Sequence, residues 1–137
     1  MNESPLARKL KLRAGQRAAL WNAPPSYRRE LGVVPPGVTF SRRPGGTFDW
    51  IQVFAKNRSE LRRLVPRALR ALGRAGILWI AFPKGTSSIQ TDLTRDTGWE
   101  VVRGRALKWI TLVSVNGTWS AFAVRKYRPG EDRHSFR

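Results

Sequence analysis

The sequence predicts a three-layer α/β fold whose mixed sheet ends in an antiparallel hairpin. Short β-rich runs alternate with helical segments through most of the chain, one helix beginning at Ser59 is strongly periodic, and two β-rich runs flank Asn116-Gly117 near the end. At 137 residues, 41% hydrophobic and 10% aromatic, the chain suits one domain with a buried core. That domain is expected over residues 1–126, with a polar C-terminal tail at 127–137.

Ser4 can cap a short helix that runs to Leu12, with Pro5 in its first turn and Leu6 and Leu10 facing inward. Arg17 to Ala23 reads as a buried strand stopped by Pro24-Pro25, and Ser26 to Leu31 as one or two helical turns ended by Gly32. Val38 to Ser41 makes a second strand. Phe48 to Ala55 is a third, apolar along nearly its whole length, as expected where both faces of a sheet are covered. Ser59 is the expected cap of the periodic helix, in which Leu61, Leu64, Val65, Ala68, Leu69 and Leu72 form one stripe. Arg63, Arg67, Arg70 and Arg74 form a second stripe on the opposite face. Pro66 predicts a kink or a late start, and Gly73 and Gly76 the end of the helix. Gly76 to Phe82 is a fourth strand. Thr91 or Asp92 is expected to cap a weaker helix through about Val102. The runs 109–115 and 118–125, joined by Asn116-Gly117, predict a hairpin with a type I′ turn.

Strands interleaved with helices imply parallel pairing through right-handed crossovers, whereas the closing hairpin must turn its last strand against the rest. Parallel strands first and a hairpin last is the plan of methyltransferase-like Rossmann folds. Transferred to this chain, it gives a truncated version with strand order 2-1-3-4-6-5.

Six blocks occur in order across residues 5 to 125: Leu6-Ala-Arg-Lys-Leu10, Asn22-Ala-Pro24, Phe48-Asp49, Trp79-Ile-Ala-Phe-Pro-Lys84, Thr91-Asp-Leu-Thr94 and Thr118-Trp-Ser120. Together they resemble a family of small bacterial proteins known as a domain of unknown function and described as Rossmann-like. The resemblance implies the fold and carries no reaction. Lys56-Asn57 and the large positive charge depart from the family pattern, so an anionic ligand is expected as a speciality of this chain.

That charge is the strongest compositional signal: 26 Lys and Arg against 9 Asp and Glu give +17. Twenty of the 26 are arginine, the side chain shaped for bidentate phosphate contacts. The absence of cysteine excludes disulfides, thiol nucleophiles and thiolate metal sites, and the single histidine, His134, leaves no basis for a His metal site or a Ser–His pair. No apolar run approaches the length of a membrane span, and the N-terminus lacks the pattern of a secretory leader, so a cytoplasmic protein with no membrane contact is expected.

In open α/β sheets, ligands sit outside the carboxyl ends of the strands near the reversal of strand order. Asn22, Lys56, Asn57, Lys84, Thr86, Ser87 and Trp119 are the candidates for that crevice, and Trp21 could line it or offer a stacking surface. Arg63, Arg67, Arg70 and Arg74, with Arg42 and Arg43 after strand 2, are the candidates for binding a polyanion. The turn Asn22-Ala-Pro-Pro-Ser26 has no glycine and two prolines without N–H donors, and Arg42-Arg43 stands where an acidic residue would hold a ribose. No cofactor is therefore expected, and no carboxylate pair is placed for catalysis. The sequence favours a non-catalytic module that binds nucleic acid, in a non-specific and salt-dependent way, or else an acidic protein surface. The alternative is a degenerate methyltransferase-like enzyme or a binder of a small anionic ligand at the strand-end crevice; a subunit of a larger assembly is a third reading.

Overall fold

A computed structural model describes residues 3–42 and 45–131. Arg43 and the segment 132–137, which includes His134, lie outside the described residues. The elements in chain order are α1 (Pro5–Lys9), β1 (Arg17–Trp21), α2 (Tyr27–Leu31), β2 (Thr39–Phe40), β3 (Phe48–Phe54), α3 (Arg58–Ala71), β4 (Leu72–Pro83), α4 (Glu100–Arg103), β5 (Leu107–Ser114) and β6 (Trp119–Lys126). The six strands form one sheet in the order β2-β1-β3-β4-β6-β5. β2, β1, β3 and β4 are mutually parallel, and β6 runs antiparallel between β4 and β5, as the alternating pattern and the late hairpin predict.

β3 lies near the middle of the sheet and its residues alternate between two cores. Ile51 and Val53 face the side covered by α3 and α4, where Leu61, Leu64, Val65, Ala68 and Leu69 dock on Leu78, Ile80 and Phe122. Trp99 packs there edge-to-face on Trp109, Phe82 and Phe122, with ring centroids 5.0–5.8 Å apart, and Phe82 stacks on Phe122 at 5.5 Å. Trp50 and Phe54 face the opposite side, which α1 and α2 cover with Ala7, Leu10, Tyr27 and Leu31. The indole N–H groups of Trp50 and Trp79 both donate to the Leu10 carbonyl, at 2.7 and 2.8 Å. Leu10 is the C-cap of α1, so one helix-end carbonyl satisfies two buried donors from neighbouring strands. Ser4 caps the other end of this helix through the Ala7 N–H, with Pro5 in the first turn.

Four local expectations are corrected. α3 starts at Arg58, with Asn57 as its N-cap in place of Ser59, and runs through Pro66 to Ala71. Asp92 does not cap a helix of its own: its Oδ1 accepts the Arg58 N–H at 2.9 Å, so the loop that carries it closes the end of α3. The segment after it stays irregular up to α4 because Gly98 adopts φ +100°. A Cβ there would meet the Leu93 and Arg58 side chains at 2.9 and 3.0 Å. β4 begins at Leu72, directly after α3, and residues 73–76 bulge out between Phe48↔Leu72 and Trp50↔Ile77. Arg74 therefore lies in that bulge, outside the arginine stripe of α3. Finally, Asn116 and Gly117 are not among the positive-φ residues, so the hairpin turn is not type I′. Asn116 Oδ1 instead accepts the N–H groups of Thr118 and Trp119, both at 2.9 Å, and its side chain builds a wider turn.

After β6, the chain folds back on the hairpin. The Glu131 carboxylate takes hydrogen bonds from the Arg125 guanidinium, the Arg128 N–H and the Lys108 ammonium, and the first two hold it well below the usual carboxylate range.

Tyr27 opens α2, and burial of its ring pushes the phenol above its ordinary value; Gln52 opposes that shift and the Glu30 charge adds to it. The sign follows from linkage. The raised group keeps its proton in the folded state, so its contribution is complete below pH ~10 and is lost as pH rises from there toward the folded value. Chemical denaturation between pH ~7 and ~11 should show the wild type losing stability relative to Tyr27→Phe only above pH ~10. A constant difference across that range would refute the assignment.

Candidate functional site

The C-terminal ends of β1 and β2 open onto a cavity of about 700 Å³ between the segment 22–28 and α3. Its floor is apolar, with Leu20, Trp21 and Phe40 from the strands and Leu64 from α3. Its walls carry Arg28, Arg42, Arg63 and Arg67. A second cavity of about 470 Å³ adjoins it and adds Arg70, Gly45 and Gly46. Trp21, Ser41, Arg42 and Arg67 line both, so the two form one trough along α3. Among the described residues, no acidic side chain lines either part.

Helical spacing brings three of these arginines together: Arg63, Arg67 and Arg70 stand at i, i+4 and i+7 on α3, opposite its buried stripe. Their rise along the axis is about 10 Å. Arg42 reaches the trough because β2 ends at Phe40 and the chain leaves the sheet there. Arg28 is set by α2. Its guanidinium lies 4.5 Å from the Phe40 ring centroid and donates to the Gly32 carbonyl at 3.1 Å. Among the described residues, Arg42, Arg63, Arg67 and Arg70 make no side-chain hydrogen bond or ion pair.

Asn22 hinges the trough. It adopts φ +61°, an uncommon conformation for a residue with a Cβ. Its amide donates to the Phe54 carbonyl at 2.7 Å and to Glu60 Oε1 at 3.1 Å. The same Glu60 oxygen accepts the Lys56 N–H at 2.8 Å, and the Glu60 N–H donates to Asn57 Oδ1 at 2.9 Å. This reciprocal cap ties the ends of β1 and β3 to the first turn of α3.

The other sequence candidates are dispersed. Lys56 is exposed, and Lys56 and Asn57 belong to the helix cap, outside the lining of either cavity. Lys84 Nζ donates to Ser114 Oγ at 2.6 Å at the hairpin end of the sheet, so it does not join Asn22. Thr86 and Ser87 lie in the loop after β4, where the Ser87 N–H closes a turn on the Lys84 carbonyl. Trp119 is core, its ring edge-on to Phe54 at 5.0 Å. Arg28 and Phe40, which the sequence reading did not single out, complete the site. The available signal was position alone: Arg28 lies in the connection that follows β1, and Phe40 ends β2.

No protein-family model matches the chain, and no curated protein matches it in sequence. Solved structures do match its fold. A ribosomal protein methylase from Lactobacillus delbrueckii subsp. bulgaricus superposes with TM-score 0.57 at 11% identity, covering 89% of this chain and 75% of that one. DhpI in complex with SAH gives TM-score 0.57 at 9% identity, with 89% and 83% covered. The N-methyltransferase NodS from Bradyrhizobium japonicum gives 0.57 at 12%, with 89% and 93% covered. The chain thus has a methyltransferase-like Rossmann fold.

A sulfonium cofactor does not fit the residues at this site. Such a cofactor carries positive charge at sulfur and at its amino group and one carboxylate; the arginines could take the carboxylate, but among the described residues the trough offers no acid to the two cationic centres. Pro24 and Pro25 line the turn where backbone N–H donors would be needed, and Arg42 follows β2. Among the described residues no helix is long and apolar enough to cross a membrane, and no three His, Cys, Asp or Glu cluster in a way that could hold a metal ion.

Asn22→Ala removes both donors and leaves a strained backbone, so it should cost about 2 kcal/mol in chemical denaturation. Asn22→Gly, which relieves the backbone and keeps the bonding loss, should cost less. Equal cost for the two would show that φ is not the constraint.

Proposed function

We propose that this chain is a non-catalytic binding module that takes an anionic ligand carrying a planar ring, of the nucleotide class, in the trough at the ends of β1 and β2. One observation carries the reading: arginines, four of them without a side-chain partner among the described residues, surround an apolar, aromatic floor in a cavity of ligand size, with no carboxylate among the described lining residues. Arginine forks match phosphate oxygens, and the Trp21 ring offers a surface for a base. The fold supports the location in part: the first cavity opens at the carboxyl end of β1, one of the two strands that flank the reversal of strand order.

A second reading is a methyltransferase-type enzyme, favoured by the fold neighbours. Thermal melts with a nucleoside monophosphate, the matching nucleoside and S-adenosylmethionine separate the two. The monophosphate at 100 times its Kd should stabilise the fold by ~2.7 kcal/mol, and the nucleoside far less. Stabilisation by S-adenosylmethionine alone would establish the second reading and overturn the first.

Arg67→Gln should abolish the monophosphate shift without unfolding the free protein, because Arg67 has no internal partner to lose. In low salt, removal of one like charge should leave stability unchanged or raise it by up to ~1 kcal/mol, an effect that fades as salt screens the trough. A loss of stability in both low and high salt would mean that Arg67 serves the fold.

A further inference from the structure

We propose that the trough takes a single strand of nucleic acid, its phosphates on Arg42, Arg63, Arg67 and Arg70 and an unpaired base on Trp21. This rests on the preceding reading and names the ligand more narrowly. A mononucleotide uses one cavity and one or two arginines. Here the first cavity continues into the second through Trp21, Ser41, Arg42 and Arg67, and Arg70 waits at the far end. The arginines of α3 extend about 10 Å along the helix axis, long enough to follow successive phosphates of one backbone. Among the described residues none is committed to a carboxylate, so each is available for an external charge.

The position of Trp21 selects the form of the polymer. It is half-buried where the two cavities meet, with the basic rim above it. A base in a duplex offers only its edge, because both its faces are stacked, so a paired strand could touch the rim but not the ring. A single strand can turn a base into the trough while its backbone runs along the arginines. A basic groove over an aromatic platform is the physical pattern of sequence-tolerant single-strand binding.

The test is fluorescence anisotropy with a labelled single strand of about a dozen nucleotides, its duplex, and an abasic strand of the same length, at salt from about 50 to 300 mM. The single strand should bind at least ~5-fold more tightly than the abasic strand, which keeps every phosphate and loses every base. It should also bind more tightly than the duplex. Four contacted phosphates predict a slope of log K against log salt near −3, and the double variant Arg63→Gln/Arg67→Gln should flatten it by roughly 1.4. Both side chains are exposed, so this variant should fold; an unchanged melting curve checks it.

Equal binding of the abasic and normal strands would overturn the base-stacking mode. Equal binding of duplex and single strand, or equally effective competition by poly-glutamate of matched charge, would overturn single-strand recognition. Stabilisation by a monophosphate with no binding of the oligonucleotide would overturn this inference and leave the nucleotide reading standing. Failure of both ligands would overturn both.

Discussion

The Glu60 carboxylate is the constraint on which the working end of the sheet depends. It stands in a helix otherwise rich in arginine and takes the Lys56 N–H and the Asn22 amide on one oxygen. Asn22 also reaches the Phe54 carbonyl, so β1, β3 and α3 meet at a single node. The node fixes how far the first turn of α3 stands from the end of β1, and so sets where the following turns, with Arg63 and Arg67, face the trough. It also leaves Asn22 in a left-handed conformation, which directs the chain from β1 into Pro24-Pro25 and on to Arg28. Asp92 closes the same helix end from the opposite side by accepting the Arg58 N–H. A helix N-terminus with two carboxylates on its first N–H groups and their neighbours is electrostatically satisfied, so α3 presents to the trough its arginines and not its dipole.

The acids of this chain explain why the trough is so positive. Among the described residues, each carboxylate is engaged away from the trough. Glu3 meets Arg8, Glu30 meets Asn116, Asp49 takes the Arg17 N–H, Asp96 meets Arg95 and Glu100 meets Arg58. Glu131 gathers Arg125 and Lys108, and Glu60 and Asp92 cap α3. With nine acids against 26 bases, structural caps and ties use the negative charge and the remaining arginines stay uncompensated. Five of those arginines share one concave surface, which concentrates field lines far more than scattered surface charge would.

The parallel pairing and the closing antiparallel hairpin were legible because periodicity and crossover handedness constrain them; the strand order itself came from the methyltransferase-like plan, and the sheet has that order. The details that failed depend on contacts remote in sequence. Asn116-Gly117 has the composition of a type I′ turn, but the Asn116 carbonyl oxygen finds two backbone donors and its amide finds Glu30 on α2, which together favour a wider loop. Asp92 precedes a plausible helix, yet the N–H group it serves belongs to Arg58, at the end of another element. Gly76 reads as a helix stop and acts as a point of close approach: a Cβ there would lie 2.9 Å from the Phe48 carbonyl oxygen. The arginine periodicity of α3 marked Arg63, Arg67 and Arg70, since a helix face can be counted from sequence. The crevice built from Asn22, Lys56 and Lys84 could not be, because strand ends that are adjacent in the sheet differ in how far the chain runs on before its side chains turn outward.

The fold and the ligand are separable in this chain. The methyltransferase-like plan provides a reversal of strand order and a crevice outside the strand ends, and any ligand placed there meets whatever the β1 turn, the β2 end and the flanking helix supply. In this protein those three supply Pro24 and Pro25, Arg42, and the face of Arg63, Arg67 and Arg70. Each change acts in the same direction. Prolines withdraw N–H donors from the turn, the arginine after β2 replaces an acceptor with a donor, and the helix adds charge that a cationic ligand would have to oppose. A site that had merely decayed would lose groups without gaining a common sign. The lining here is consistently positive over an apolar floor, and the proposed ligand, with a planar face and negative charge, rests on that combination.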